Sequence, residues 1–336
     1  MSPSFSLIGC GRIGERHATL MKKYGTLVSV CDVIKKKADL FSEKFASKAY
    51  YDLESFLASG IKSDVVAVCT PNGLHAQQCI RLLTTGMNVL CEKPMAISVK
   101  DCEEMIEIAR KFERNIFLVM QNRYNPPVLE LKKIIDENRL GKIFSLQLNC
   151  FWNRDARYYD DSWRGTKRLD GGTLFTQFSH FIDLLYWLFG DVQDTKAFLS
   201  NYAHKGIIEF EDTGIVLLKF QNGMTGTLNY TVNSHNRNME GSVTVFGEKG
   251  TIKVGGRYLN KIEYQDIDNY KIKHVEAGNA ANDYGGYTGS MSNHEKVYEN
   301  IIHFLEGKEP AYINVEDGMK TVEIIERIYQ SADKIY

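Results

Sequence analysis

Gly9-Cys10-Gly11-Arg12-Ile13-Gly14 decides the fold. A β-rich apolar run from Ser4 breaks into this glycine turn, and a helical pattern follows it to about Tyr24. Strand, tight turn and helix are the setting in which G-x-G-x-x-G binds a dinucleotide. The first glycine permits the turn, the second lets the backbone approach a pyrophosphate, and the third lets helix and strand pack closely. Free N–H groups at the helix start then face the phosphates. A second strand, Leu27 to Cys31, ends in Asp32, 18 positions beyond Gly14. A carboxylate at that spacing accepts hydrogen bonds from an adenosine ribose, which favours NAD over NADP. Lys35, Lys36 and Lys37 leave two options open, a 2′-phosphate site or the solvated face of the next helix.

Working outward, strands and helices keep alternating, which implies a parallel sheet covered on both faces. Asp64 to Cys69 is a near-continuous apolar strand ending in Thr70-Pro71-Asn72, ahead of a helix from about His75 to Thr85. Thr70, Asn72 and His75 therefore share the sheet edge of the glycine turn, where open α/β sheets bind ligands. The same residue types also serve as turn and helix caps. Asn88 to Cys91 is the next strand, and Glu92-Lys93-Pro94 delivers an ammonium group at its carboxyl end. A lysine titrates near about pH 10.4, so Lys93 can act as a base at neutral pH only where burial or a neighbouring cation disfavours its charged form. A bound nicotinamide ring carries such a charge. After a helix from about Val99 to Arg110 and a strand from Asn115 to Gln121, the nucleotide domain closes near Asn122. Residues 1–122 then form one domain and residues 123–336 the other.

Arg123-Tyr124-Asn125-Pro126-Pro127 marks the crossing, and one helix, Val128 to Asn138, precedes long strands. These run over Ile143 to Trp152, Thr195 to Asn201, Gly214 to Gln221, Met224 to Val232 and Ser242 to Phe246, with a hairpin turn at Gly247-Glu248-Lys249-Gly250. Period-two alternation from Thr225 to Tyr230 implies a sheet with one face packed and the other exposed. The expected class is α/β: an N-terminal Rossmann domain, then an α+β domain with a large, mostly antiparallel open sheet. A bare face of that size is expected to be covered by another copy, as a homodimer or homotetramer. Between the first two strands, Asp170-Gly171-Gly172 opens a helix to about Phe189, on which Thr176, His180 and Asp183 are spaced i, i+4 and i+7 and share one face. A lone histidine amid Phe and Leu is ordinarily a hydrogen-bonded core residue. A hydroxyl, an imidazole and a carboxylate together on an apolar helix, however, are costly to bury unless something polar meets them.

Composition narrows the partners. The 41 basic and 42 acidic residues leave no field for gripping nucleic acid or an anionic membrane, so small molecules or other subunits are expected. Seven scattered cysteines without a C-x-x-C read as buried free thiols in a reducing compartment. The start lacks a signal peptide's basic and apolar regions, and no apolar run reaches the ~18 residues of a membrane span, so a cytoplasmic protein is expected. No Cys/His cluster has ligand spacing, so no metal is expected and a zinc alcohol dehydrogenase is excluded.

Taken together and in this order, G-C-G-R-I-G, C-T-P-N (69–72), C-E-K-P (91–94), R-Y-N-P (123–126) and D-G-G-x4-Q-x2-H-x2-D (170–183) resemble the glucose–fructose oxidoreductase/inositol dehydrogenase (Gfo/Idh/MocA) family over nearly the whole chain. The resemblance implies NAD(P)-dependent oxidation of a sugar or cyclitol hydroxyl, with Lys93 the catalytic lysine and His180 its partner. It implies cofactor contacts from Gly9, Gly11, Arg12, Ile13, Gly14, Asp32, Thr70, Asn72, His75, Glu92, Lys93, Gln121, Trp163 and Arg164. Substrate contacts would come from Lys93, Arg123, Tyr124, Asn125, Tyr158, Thr176, Gln177 and His180. Thr176 departs from the family's polyol dehydrogenases, which often carry an aspartate there, so a proton relay through that position is not implied.

Within the family, Tyr158 to Thr166, Glu211-Asp212-Thr213-Gly214 and Asn238 to Thr251 look most like bacterial 3-dehydrogenases of UDP-N-acetylglucosaminuronate. Those enzymes oxidise C3 of a UDP-linked aminosugar acid ahead of a PLP aminotransferase, in the supply of lipopolysaccharide and other surface-polysaccharide sugars. Residues 152–168 interleave Trp152, Tyr158, Tyr159 and Trp163 with Arg154, Arg157, Arg164, Lys167 and Arg168, offering aromatic faces for uracil and donors for diphosphate and carboxylate. Arg123 could serve the uronate too. Asp155, Asp160, Asp161 and Asp170 nearly cancel that charge, which suits an ordinary surface loop equally. The expected chemistry has Lys93 accepting the C3 hydroxyl proton while C3 hydride passes to the ring, with His180 positioning or sharing that proton. The alternatives are a related enzyme acting on UDP-N-acetylglucosamine or a free polyol such as inositol, and a non-enzymatic NAD-binding sensor.

Overall fold

The computed structural model describes residues 2–160, 163–276, 278–283, 285 and 287–334. Asp161 and Ser162 of the Tyr158 to Thr166 motif lie outside the described residues. The chain divides into two compact units, Met1–Met120 with His294–Val322, and Gln121–Asn293 with Glu323–Tyr336.

In the first unit, strands β1 (Ser4–Ile8), β2 (Thr26–Cys31), β3 (Lys48–Tyr50), β4 (Val65–Val68), β5 (Asn88–Cys91) and β6 (Ile116–Leu118) alternate with helices α1 (Arg12–Tyr24), α2 (Lys35–Phe45), α3 (Leu53–Ala58), α4 (His75–Thr84) and α5 (Val99–Lys111). The sheet has the order β3-β2-β1-β4-β5-β6 with every pairing parallel. All four residues of β4 are buried, as a strand covered by helices on both faces requires. Strand order reverses between β1 and β4, so the carboxyl ends of these strands frame the crevice where such sheets bind ligands.

The second unit starts with α6 (Pro126–Asp136), whose two prolines occupy the first turn, where no N–H is needed. It continues through β7 (Ile143–Phe151), α7 (Ala156–Tyr159), a π-helical turn (Leu174–Phe178), α8 (Ser179–Phe189), β8 (Val192–Ser200), β9 (Thr213–Phe220), β10 (Thr225–Thr231), β11 (Glu240–Gly247), β12 (Gly250–Gly255), β13 (Lys261–Ile267) and the hairpin β14 (Ala281–Asp283) and β15 (Thr288–Met291). Helices α9 (His294–Leu305) and α10 (Val315–Gln330) follow, and β16 (Ala332–Lys334) ends the described chain. The large sheet has the order β13-β12-β11-β7-β10-β9-β8-β16, antiparallel except for β7 with β10 and β8 with β16. On its inner face Trp152 and Tyr230 meet Phe181 and Phe178, and Phe220 meets Phe189, so the apolar side of α8 and its π turn forms the core. On the outer face Phe144, Phe198, Ile215 and Leu217 remain 50–53% exposed.

Two expectations need correction. The chain does not stay in the second unit after residue 122: His294–Val322 belongs to the first, where Tyr298 packs against Phe5 and Tyr24, and Phe304 against Phe117. The apolar stripe of α9 finds its partner on α1 and the parallel sheet. Nor do Thr176, His180 and Asp183 lie along one regular helix, because Thr176 sits in the π turn. Its i→i+5 bonding inserts an extra residue and breaks the i, i+4, i+7 phase.

Candidate active site

The glycine turn has three distinct surroundings. Gly9 has a φ of +100°, and a Cβ there would fall 2.6 Å from the Cys69 carbonyl oxygen. A Cβ on Gly14 would fall 2.1 Å from the Gly9 carbonyl oxygen, so only glycine lets α1 approach β1 this closely. At Gly11 a Cβ would meet nothing within 4 Å, which leaves open the approach that a pyrophosphate needs. Gly11 caps α1 without a side-chain bond, so Arg12, Ile13 and Gly14 present the first N–H groups of the helix. Asp32, half-buried at the end of β2, is braced by the Cys10 N–H on Oδ2 and the Ile34 N–H on Oδ1, both at 2.8 Å. Open turn, helix start and acid at the second strand together fit a dinucleotide with a free ribose diol.

Beyond β5, Lys93 is half-buried and joined to Pro94 by a cis peptide bond. Three residues expected at the cofactor, His75, Thr70 and Glu92, make hydrogen bonds within the protein. His75 is 1% exposed, with Nδ1 2.8 Å from the Pro94 carbonyl oxygen and Nε2 2.9 Å from that of Thr70, so it staples the C-T-P-N turn to the E-K-P turn. A neutral ring satisfies only one of these two acceptors. Burial, the larger influence, pushes His75 below the usual histidine range, against the upward pull of the carbonyls. Thr70 donates its hydroxyl to Gln78 Oε1 at 2.6 Å, and Asn72 is buried in the short turn before α4. Glu92 is also buried: Oε1 lies 2.9 Å from His17 Nε2 and 3.6 Å from His294 Nε2, and Oε2 accepts the Lys93 N–H at 3.1 Å. Burial alone would raise this carboxyl, but the two histidines hold it well below the usual carboxylate range. The ligand atoms of His17, Glu92 and His294 lie within 4.8 Å of one another, close enough to hold a metal ion. As hydrogen-bonded, the His17 Nε2 proton points at the carboxylate, so an ion would have to displace it. A search by sequence spacing missed this trio because His17 and Glu92 are 75 positions apart.

In the second unit the polar residues around the π turn meet polar company. Thr176 donates its hydroxyl to the Asp170 carboxylate, which also accepts the Gly165 N–H at 2.8 Å. Gln177 accepts Arg154 Nε at 2.7 Å and donates to the Tyr158 hydroxyl at 2.8 Å. His180 is 2% exposed, on the first turn of α8. Arg154 is 3% exposed; it also donates to the Asn153 and Thr288 carbonyls and to Asn238 Oδ1, and lies 4.9–5.2 Å from the ring centres of Trp152, Tyr158 and Tyr287. Arg164 joins the same aromatic group, 4.6 Å from the Tyr158 ring and 5.4 Å from that of Trp163. Tyr287, Asn238 and Thr288 surround Arg154 and were not among the residues expected at the site. Tyr287 and Thr288 lie around the β14–β15 hairpin, where the sequence carries no local signal, whereas Asn238 opens the Asn238 to Thr251 motif.

Arg123 requires correction. It is fully buried, with Nε bonded to Asp183 Oδ2 at 2.9 Å and Nη2 to Oδ1 at 2.5 Å, and its guanidinium lies over Trp187. It secures the start of the second unit to α8 and offers no surface for a uronate. Gln121 and Asn125 are buried in the same way: Gln121 donates to Ser290 at 3.0 Å, and Asn125 donates to the Tyr258 carbonyl at 3.1 Å and accepts from Asn293 at 2.6 Å. Tyr124 stays half-buried in the short turn between them.

Comparison with known proteins gives the family. An oxidoreductase family model for the NAD-binding Rossmann fold matches residues 4–119, and the GFO/IDH/MocA C-terminal domain model matches residues 128–253. The chain is similar to the WlbA dehydrogenase of Chromobacterium violaceum, solved in complex with NADH and UDP-GlcNAcA, at 34% identity over 98% of this chain and 93% of that one, with a TM-score of 0.89. The Bordetella pertussis WlbA dehydrogenase, solved with the same two ligands, is 32% identical over 98% of this chain and 96% of its own, with a TM-score of 0.86. Glucose-6-phosphate 3-dehydrogenase of Bacillus subtilis is 30% identical over 187 residues, 54% of this chain and 53% of that protein. No helix among the described residues is long and apolar enough to cross a membrane. The chain therefore belongs to the GFO/IDH/MocA family of oxidoreductases, with NAD as its cofactor.

Proposed function

We propose that this oxidoreductase is a sugar dehydrogenase that oxidises the C3 hydroxyl of a UDP-linked N-acetyl aminosugar uronate. Arg154 carries the anionic part of this reading. It is a buried guanidinium walled by three aromatic rings and, among the described residues, bonded to no carboxylate. Burial pushes Arg154 below the usual arginine range, and a charge held that way is stabilised by an arriving anion. The rings of Tyr158 and Tyr287, with Arg164 against both, supply stacking and charge-assisted contacts suited to a nucleoside diphosphate. Similarity to dehydrogenases solved with UDP-GlcNAcA supports the same substrate class. A sugar phosphate is the second reading, favoured by similarity to the glucose-6-phosphate enzyme.

NAD, when bound, supplies the hydride acceptor. Lys93 accepts the proton of the C3 hydroxyl, since hydride leaves carbon readily only as its oxygen gains alkoxide character. His180 orients that hydroxyl or shares its proton. The half-exposed apolar outer face of the large sheet belongs, in this reading, to a second copy of the chain, in a homodimer or homotetramer.

Initial rates of NADH formation on UDP-N-acetylglucosaminuronate, UDP-N-acetylglucosamine, glucose 6-phosphate and inositol separate the readings. The uronate should be preferred, and Arg154→Met should raise its KM by about 10- to 100-fold, the scale of one lost hydrogen bond to a charged group, with less effect on uncharged inositol. Preference for glucose 6-phosphate would install the second reading. Inertness with all four would remove both.

A further inference from the structure

His17 stands three residues beyond Gly14, on the helix that follows the glycine turn. It is fully buried, and its two nitrogens reach different elements: Nε2 lies 2.9 Å from Glu92 Oε1 after β5, and Nδ1 lies 2.8 Å from the Tyr298 hydroxyl on α9. A carboxylate only accepts, so Nε2 carries the proton, and in the tautomer so fixed Nδ1 accepts the Tyr298 O–H. His294, one helical turn before Tyr298, brings its Nε2 to 3.6 Å from the same Glu92 oxygen, and its ring meets that of His17 edge-on at 5.6 Å. The other Glu92 oxygen holds the backbone N–H of Lys93. The residue next to Lys93 is thus gripped from α1 and from α9, and the returning C-terminal segment closes the grip.

We propose that His17, Tyr298 and His294 are positioning residues for Lys93, locking the E-K-P turn to the pyrophosphate-binding helix through Glu92. The inference rests on the reading of Lys93 as the base. It gives His17 in G-R-I-G-E-R-H a task that the glycine motif leaves unassigned, and it assigns Glu92 to the turn rather than to the cofactor. A donor lost here leaves a buried carboxylate short of a partner, and the turn then relaxes toward whatever else satisfies it. A shift of the base by about 1 Å is enough to slow the reaction by about 100-fold.

The test uses the full chain with NAD and the best sugar from the substrate panel, in His17→Leu, His17→Gln, Tyr298→Phe and Lys93→Met. Glutamine retains an N–H donor near the place of Nε2 and leucine does not. With His17→Leu, kcat should fall by about 10- to 100-fold while KM for NAD stays within about twofold, and His17→Gln should recover most of kcat when both variants are assayed well below their melting temperatures. Tyr298→Phe, which removes one hydroxyl, should lower kcat less than His17→Leu does and leave KM for NAD alone. Unchanged kcat in His17→Leu, or losses of kcat that track melting temperature across the series without recovery by glutamine, would overturn the proposal. So would a stoichiometric metal ion in the purified wild-type protein that His17→Gln loses. If Lys93→Met keeps turnover, the reading of the base has failed instead, and the series identifies which of the two was wrong.

Discussion

Replacing Arg123 distinguishes a structural guanidinium from one that binds substrate. The Arg123 and Asp183 side chains are 0% and 1% exposed, and two hydrogen bonds of 2.9 and 2.5 Å join them. Arg123→Met keeps an apolar stem against Trp187 but takes the guanidinium away from the buried Asp183 carboxylate. Breaking a buried pair from one side typically costs about 3–5 kcal/mol, because the remaining charge is uncompensated. Removing both charges, in Arg123→Met with Asp183→Leu, should cost far less than the two single losses added together, for a coupling of at least about 2 kcal/mol. Tryptophan fluorescence during urea unfolding suits the measurement, since Trp152, Trp163 and Trp187 all lie in the second unit and report its transition. A chain of two compact units need not unfold in one step, so a single two-state fit to the whole chain should not be imposed. The KM of Arg123→Met for an anionic sugar should stay near wild type wherever the fold is retained. A variant within about 1 kcal/mol of wild-type stability but with a raised KM would refute the assignment and return Arg123 to the substrate.

Glu211 gives a pH-dependent prediction. Burial raises its carboxyl from 4.5 to about 7, against the Tyr329 and Tyr230 hydroxyls that donate to it at 2.8 and 2.9 Å. The folded unit holds this proton more tightly than the unfolded chain, so its stability is greatest below the unfolded value and falls as pH rises toward 7. The loss amounts to about 3 kcal/mol, and unfolding curves at acidic and alkaline pH should lose that difference in Glu211→Gln. In the glycine turn, Gly11→Ala should melt like wild type yet bind NAD at least about tenfold more weakly, whereas Gly14→Ala should lose both stability and NAD affinity, because its Cβ meets the Gly9 carbonyl. Thermal melts with and without NAD distinguish the two; equal melting losses would contradict the separate roles of these glycines.

The parallel sheet was legible because its signals are local: a glycine turn in a strand–helix setting, an acid at the end of β2, and apolar strands at regular intervals. The large sheet announced itself through period-two alternation, and Gly247 and Gly250 do pair across the hairpin that joins β11 to β12. What stayed hidden depends on partners far along the chain. Nothing around Arg123 says that Asp183, 60 positions on, takes its guanidinium. Nothing in the amphipathic pattern of α9 says which unit it covers, so the grip of His17 and His294 on Glu92 could not be foreseen. The π turn at Leu174–Phe178 has no propensity signature and moved Thr176 out of line with His180. Arg154 was visible as a charge, but that it meets no carboxylate among the described residues emerged only when Asp155 proved to pair with exposed Arg157 and Asp170 to accept from Thr176 and Gly165.

The most direct measurement is single-turnover NADH formation by Lys93→Met, mixed with saturating NAD and the UDP-linked uronate, alongside an NAD binding titration. Loss of the general base should slow hydride transfer by about 10²- to 10⁴-fold while NAD binds as in the wild type. Hydride transfer within a few-fold of the wild-type rate would mean that another group takes the proton and that the E-K-P lysine is not the base.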